Sequence, residues 1–309
     1  MRMQSRIISL GESVVDILPA AGGLWRPVPG GSSYNFALAL GRLGAPCAFA
    51  GRLSSDEQGE RMAAILLAAG VDLDLCERDE RPSPLALVKT GAEGPAFEIY
   101  LDGTAHAPPA LEPGWLDDAA HLHVSSFSAV SGAWGEAVLA ALLSARGRVS
   151  ASLDVNIRPR LVPPRETTLA EIEMRIALVD VIKASDADLA WLRPDQAPLT
   201  TAREWARRFD CPVLLTLGAA GAVACLPDAQ IEAPGISVEV VDTVGAGDCF
   251  VAAFLAKAVE AGDLAAKLRD KRLVGGWLSF ANAAAALCCA RAGADPADRS
   301  EIEAFRRSF

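Results

Sequence analysis

Short apolar runs and longer amphipathic runs alternate along most of the chain. The runs Arg6–Leu10, Cys47–Gly51, His121–Ser125, Val149–Val155, Val179–Ala184, Val213–Leu217 and Ala222–Leu226 have the length and continuity of strands buried on both faces. Between them, Tyr34–Leu43, Asp56–Ala69, Trp134–Ala145, Thr168–Leu178, Ala202–Phe209, Gly247–Ala261 and Val274–Ala290 carry apolar residues at helical spacing. This alternation predicts an α/β fold: a mainly parallel sheet with helices on both faces, in three layers. Two stretches break the rhythm. Val14–Pro29 reads as a strand and turn rich in Pro and Gly, and Leu85–Leu101 as a β-hairpin turning over Gly91 to Pro95. Together, residues 13–30 and 84–107 are expected to form a small β lid over the edge of a single domain spanning 1–309.

The composition fits that picture. At 309 residues, 51% hydrophobic and 22% charged, the chain can fill a packed core. A net charge of −10 without a Lys/Arg run gives no basic face, which argues against a nucleic-acid partner. The stretch Ile7–Leu18 is interrupted by Glu12 and Asp16, and Ala281–Ala290 is too short to span a bilayer, so neither a leader nor a membrane anchor is expected. Seven cysteines include no CxxC pair, and Cys288 and Cys289 are adjacent. They read as reduced thiols of a cytoplasmic protein. His121 and His123 share one face of a strand, but no Cys or carboxylate nearby completes a metal set.

The sharpest chemistry lies in Asp242-Thr243-Val244-Gly245-Ala246-Gly247-Asp248, between a strand-like run, Ile236–Val241, and an apolar helix, Cys249–Val259. Gly245 and Gly247 permit a tight turn and close approach of a ligand. The first N–H groups of the helix lack internal acceptors and sit at the positive end of its dipole, so the turn can hold an anion. Asp248 falls in the first turn, where a carboxylate can take the proton of an attacking hydroxyl. No Gly-Lys-Ser/Thr follows, and Phe250 stands where a dinucleotide fingerprint needs its third glycine. Far upstream, Gly30-Gly31-Ser32-Ser33-Tyr34-Asn35 opens another helix and places an amide on its first turn.

These two segments resemble the two signatures of the ribokinase family of carbohydrate kinases, also called the PfkB family. The first runs from Gly30 through Leu43-Gly44 to Gly51-Arg52-Leu53-Ser54-Ser55-Asp56-Glu57-Gln58-Gly59, and the second from Asp242 to Phe250. The strand pattern extends the similarity from Ile7 to about Ala294, and the resemblance implies a ribokinase-like fold. It also implies ATP-dependent transfer of the γ-phosphoryl group to a sugar hydroxyl, with Mg²⁺ and a monovalent cation such as K⁺. By that similarity Asp248 is the base, and the backbone of Gly245, Ala246 and Gly247 is the anion hole. Asp16, Gly31, Asn35, Arg158 and Asp248 face the sugar. Lys183, Ser185, Thr216, Gly218, Gly221, Gly245, Gly247 and Asn282 belong to the nucleotide side, and Asp188 and Asp242 are the metal candidates.

Within the family, Asp154-Val155-Asn156-Ile157-Arg158-Pro159 resembles a loop common in fructokinases and 2-keto-3-deoxygluconate kinases. Phe97–Leu101 with Gly103-Thr104-Ala105 resembles the fructokinase lid strand. Ser32 replaces the Lys of ribokinase itself, Ser185 and Asp188 replace an Asn-x-x-Glu element, and His106 stands where fructokinase relatives tend to have Asp. Fructose is therefore the expected acceptor. A 2-keto-3-deoxy sugar acid or a nucleoside is the alternative, and a silent sugar- or nucleotide-sensing protein is the reading outside enzymes. A lid with apolar outer positions offers a surface for a homodimer.

Overall fold

The computed structural model describes residues 5–91 and 94–308. In chain order the elements are β1 (Arg6–Leu10), β2 (Val14–Pro19), β3 (Trp25–Gly30), α1 (Ser32–Arg42), β4 (Cys47–Ala50), β5 (Arg52–Ser54), α2 (Glu57–Ala68), β6 (Glu77–Asp79), β7 (Leu85–Gly91) and β8 (Gly94–Tyr100). The second half contains β9 (Ala119–Ser125), α3 (Gly132–Ala145), β10 (Ser150–Asp154), α4 (Arg165–Ile176), β11 (Val181–Ser185), α5 (Asp186–Leu192), α6 (Pro198–Arg208), β12 (Val213–Thr216), β13 (Gly221–Cys225) and β14 (Gln230–Pro234). Helices α7 (Ala246–Glu260), α8 (Leu264–Lys267), α9 (Lys271–Cys289) and α10 (Arg299–Arg306) complete it.

Eight strands form one sheet in the order β14-β13-β12-β11-β10-β9-β1-β4. Its pairs are parallel from β4 to β12, and β13 is reversed, antiparallel to both β12 and β14. Neighbouring residues feed opposite faces: Ile7 joins the apolar cluster of Phe36, Leu66, Phe254 and Trp277, and Ile8 joins that of Trp134, Leu142, Ile172 and Trp205. Each fully buried Phe or Leu contributes about 2 kcal/mol, so these two clusters fix the three layers. The expected fold class therefore holds. Helix α9 is the one described helix long and apolar enough to cross a membrane by length and composition. It extends the apolar stretch noted from the sequence and buries Val274, Trp277 and Phe280 against the core.

A second sheet has the order β3-β2-β7-β8, with β2 and β7 parallel and the outer pairs antiparallel. Both irregular stretches of the sequence thus meet in one small sheet. Residues 92 and 93, at the centre of the hairpin turn read from the sequence, lie outside the described residues.

Three features depart from expectation. The run Ile236–Val241 is not a strand: it joins no sheet among the described residues and leaves Val240 and Val241 exposed. Its apolar residues are used beside a cavity rather than in a sheet. Strand β14 escaped notice because Gln230 and Glu232 interrupt it, which an edge strand tolerates. One face of the central strands is polar: His121 contacts Ser150 Oγ and Ser152 Oγ at 2.8 and 2.7 Å, and His123 contacts Ser152 Oγ at 2.8 Å while stacking on Phe36. Burial lowers both imidazoles, which keeps this pair neutral inside the core.

Candidate functional site

The carboxyl ends of β10, β11 and β12, the N-termini of α1 and α7, and the small sheet enclose a cavity of about 970 Å³. Open α/β sheets place ligands at this end of their strands. Sequence positions 12 to 289 converge on it, among them both glycine motifs.

Gly245 caps α7 in the left-handed region, at φ 78°, and a Cβ there would lie 2.6 Å from the Ala294 methyl. The positive φ turns the chain so that the helix starts at Ala246. Ala246 N–H donates back to Thr243 O at 3.3 Å, and Cys249 N–H donates to Gly245 O. Among the described residues, Gly245 N–H, Gly247 N–H and Asp248 N–H have no acceptor, so these three donors head the helix dipole. Of the expected cradle, Gly245 N–H and Gly247 N–H are thus free, Ala246 N–H turns back to Thr243 O, and Asp248 N–H adds a further free donor among the described residues.

Asp248 is the third residue of α7, and its side chain is buried against α1. Ser32 Oγ–H donates to Oδ1 at 2.6 Å, and Asn35 Nδ2–H donates to Oδ2 at 3.0 Å. Burial raises the Asp248 carboxyl above the usual carboxylate range, while these two donors and the charges of Lys183 and Arg158 pull it back down. Asn35 keeps its Oδ1 buried without a partner among the described residues.

On the lid side, Asp16 on β2 faces the cavity and is 6% exposed. Burial pushes its carboxyl up to about 7 against the pull of Arg158. A Cβ at Gly30 would lie 2.2 Å from Asp16 Oδ2, so the glycine makes room for the carboxylate. Gly31 has φ 96°, and a Cβ there would meet Ser13 Cα at 2.8 Å. Backbone contact this close joins the lid strand to α1. Arg158 Nη1 donates to Asn156 Oδ1 at 2.8 Å and to Ile157 O at 3.1 Å, at the edge of the same cavity.

The other half of the cavity is lined by Thr216, Gly218, Gly221 and Asn282. Gly221 has φ 99° and packs on the β14 backbone, where a Cβ would lie 2.3 Å from Ala233 O. Asn282 is buried rather than on a helix surface, and its Nδ2 donates to Ala233 O and Pro234 O at 2.9 and 3.1 Å. It pins α9 to the sheet edge and forms the cavity wall. Lys183 Nζ donates to Asp154 Oδ2 at 3.0 Å and sits 2.9 Å from where a Gly247 Cβ would be, so its charge lies under the helix start. Burial pulls this ammonium down, and the carboxylates of Asp154, Asp188 and Asp248 more than offset it.

Ser185 and Asp188 form a capping box at the start of α5. Asp188 Oδ2 accepts from Ser185 N and Oγ, and its Oδ1 accepts from Ile157 N at 2.7 Å. Asp242 lies behind the motif turn, accepting from Val244 N and Gly293 N at 3.0 and 2.9 Å. No cluster of three His, Cys, Asp or Glu is placed to hold a metal among the described residues.

Two residues of the site were not recognised from sequence. Glu12, read only as a break in an apolar run, accepts from Ser32 N at 3.1 Å and from Ser128 Oγ. Ser32, read only as a replacement, touches Asp248 directly. The Gly11-Glu12 step at the end of an apolar strand was the available signal for Glu12: a buried carboxylate at a strand's carboxyl end points to a site.

A carboxylate beside a helix N-terminus, with a cation beneath it, suits activation of a hydroxyl next to a bound phosphate. The chain matches the description "pfkB family carbohydrate kinase" over residues 9–300. It is 36% identical to a fructokinase of Rhizobium leguminosarum bv. trifolii over 81% of this chain and 78% of that one. The structure superposes on a fructokinase with bound ATP from Xylella fastidiosa, with a TM-score of 0.89, 25% identity and 99% of each chain covered. A Vibrio cholerae O395 fructokinase variant in a fructose, ADP and potassium ion bound form gives a TM-score of 0.85, with 25% identity and 99% of each chain covered.

Proposed function

The chain belongs to the pfkB family of carbohydrate kinases, phosphotransferases that act on a sugar hydroxyl, and we propose that its acceptor is fructose and its donor ATP. The observation that carries this reading is the placement of the Asp248 carboxylate, where the free N–H groups of α7 and the lid-side residues Asp16 and Asn35 border one cavity. The names and ligands of the relatives support fructose over other sugars. In this reading ATP lies along Thr216, Gly218, Gly221 and Asn282, with its γ-phosphoryl group at Gly247. Asp16, Asn35 and Arg158 orient the sugar, and the small sheet closes over it to exclude water. Asp248 takes the hydroxyl proton while Gly247 N–H and Lys183 face the charge on the transferred group. Asp188 is the residue that would hold a hydrated Mg²⁺, and the ion would supply charge neutralisation on the transferred group. Asp242, which braces the turn, is the residue proposed to organise a K⁺ site.

Incubation with ATP and a panel of fructose, 2-keto-3-deoxygluconate, ribose and adenosine, read as ADP release, tests the assignment. Fructose is expected to give the highest kcat/KM, and preference for another acceptor overturns it. The raised carboxyls add a second expectation. Both Asp248 and Asp16 act as carboxylates, and Asp16 ionises near 7 in the free protein. The acid limb of kcat/KM is therefore expected near pH 7, falling about tenfold per unit below it. A profile flat to pH 5 would contradict the role of these groups.

The small sheet and the turn before β3 leave Trp25, Tyr100 and Leu24 exposed, which supports their use as a pairing surface between two copies. The seven free thiols, five of them buried, support a reducing compartment such as the cytoplasm.

A further inference from the structure

A file of hydrogen bonds leads from a cation to Asp248. Arg158 Nη1 donates to Asn156 Oδ1 at 2.8 Å, which leaves the Asn156 amide nitrogen to face the other way. Asn156 Nδ2 donates to Ser32 Oγ at 3.0 Å. That contact occupies an acceptor site of the hydroxyl, whose single proton goes to Asp248 Oδ1 at 2.6 Å. Every donor in the file points the same way, toward the carboxylate. The backbone at Asn156 is held at φ 33°, a left-handed conformation that costs energy for a non-glycine residue and that Asn tolerates best. This bend belongs to the same residue that bridges Arg158 and Ser32.

From this geometry we infer that Ser32 and Asn156 are positioning residues that relay the positive charge of Arg158 to Asp248 and aim its free lone pairs at the acceptor hydroxyl. The inference rests on the proposed role of Asp248 and adds to it what holds the base in its ionised form. Short bonds to an ionised acceptor are stronger than neutral ones, and a bond file with all donors aligned polarises each link. The setting requires such help. The charged and titratable groups around Asp248 are Lys183 on β11, Asp154 at the end of β10, Arg158 in the loop that follows it, Glu12 after β1 and Asp16 on β2. Three of those five are acidic, and they and the burial oppose a further negative charge, so neutral donors fixed on Asp248 offset part of the penalty. The relay also ties the base to the acceptor: Arg158 borders the cavity, so a group bound there acts on Asp248 through two side chains.

Two variants test the relay. Ser32→Ala removes the last link. Asn156→Asp keeps the volume but replaces the donor with an acceptor, so the Ser32 hydroxyl turns away from Asp248. In both, the Asp248 carboxyl titration is expected to move up by about one pH unit, the worth of one charge-assisted hydrogen bond. The acid limb of kcat, which reports the sugar-bound protein in which Asp16 already has its partners, is expected to move with it. Above the shifted limb, turnover is expected within about tenfold of the parent protein. If Ser32 serves only to start α1, the limb stays in place and any loss is uniform with pH, which overturns the relay. Titration of the Asp248 carboxyl by ¹³C NMR, assigned by its absence in Asp248→Asn, reads the same shift without turnover. A parent protein inactive on every acceptor would refute the sugar-kinase reading. An active parent with an unmoved limb and unmoved carboxyl titration would refute the relay alone.

Discussion

Asp248→Asn is expected to lower kcat for phosphoryl transfer by about 10²–10⁴-fold, the usual worth of a general base, while the affinity for ADP stays within about twofold. The substitution is close to isosteric, so the effect isolates proton transfer. The new amide oxygen still accepts from Ser32, which donates to Asp248 at 2.6 Å. The new amide nitrogen faces Asn35 Nδ2, a donor, and this would be a clash of like groups if Asn35 were fixed. It is not: Asn35 Oδ1 is buried without a partner among the described residues, so a flip of the Asn35 amide restores a donor–acceptor pair. Removing a desolvated carboxylate also relieves a cost of burial, so the thermal midpoint is expected to hold or rise. Single-turnover kinetics with saturating fructose and ATP, beside calorimetric titration of ADP, check both halves. A kcat within tenfold of the parent would remove Asp248 from its proposed role.

The site shows why some of it was legible in the sequence and some was not. Gly245, Gly247 and Asp248 announced themselves because a turn into an apolar helix confines chemistry to a few adjacent residues. The parallel sheet was equally legible, since strands buried on both faces are apolar runs separated by helices. What escaped depends on contacts between distant segments. Ser32 and Asp248 are 216 positions apart, and nothing local to either reports that they touch. Glu12 reads as an interruption because its partners, Ser32 and Ser128, lie on other elements. Ile236–Val241 failed for the opposite reason. Its pattern matches a strand, but the segment leaves the free edge of β14 unused and is tied at its end to α9, where Val241 N–H and Asp242 N–H donate to Cys289 O. The segment instead lines the cavity with Ile236 and Val238.

Asp16→Ala is expected to raise KM for fructose by about 10²-fold and to leave kcat within about tenfold. Asp16 sits across the cavity from the proposed phosphoryl position, so it contributes to holding the sugar in both ground and transition states. A carboxylate can accept from two neighbouring hydroxyls, and bonds to a charged group contribute about 1.5–3 kcal/mol each. Two such bonds, at the lower end of that range, give about 3 kcal/mol, or roughly 10² in affinity. No described residue donates a hydrogen bond to this carboxylate, although it is 6% exposed and its neighbour Gly30 leaves it room. Burial raises the cost of its charge in the empty protein, and in the proposed complex a polyol's hydroxyls supply donors to it within the cavity. The same substitution is therefore expected to leave the thermal midpoint unchanged or higher, and to leave calorimetric ADP binding unchanged. A KM within about threefold of the parent, with the fold intact, would mean that the sugar is held elsewhere, and the acceptor half of the site would have to be redrawn around Arg158 and Asn35.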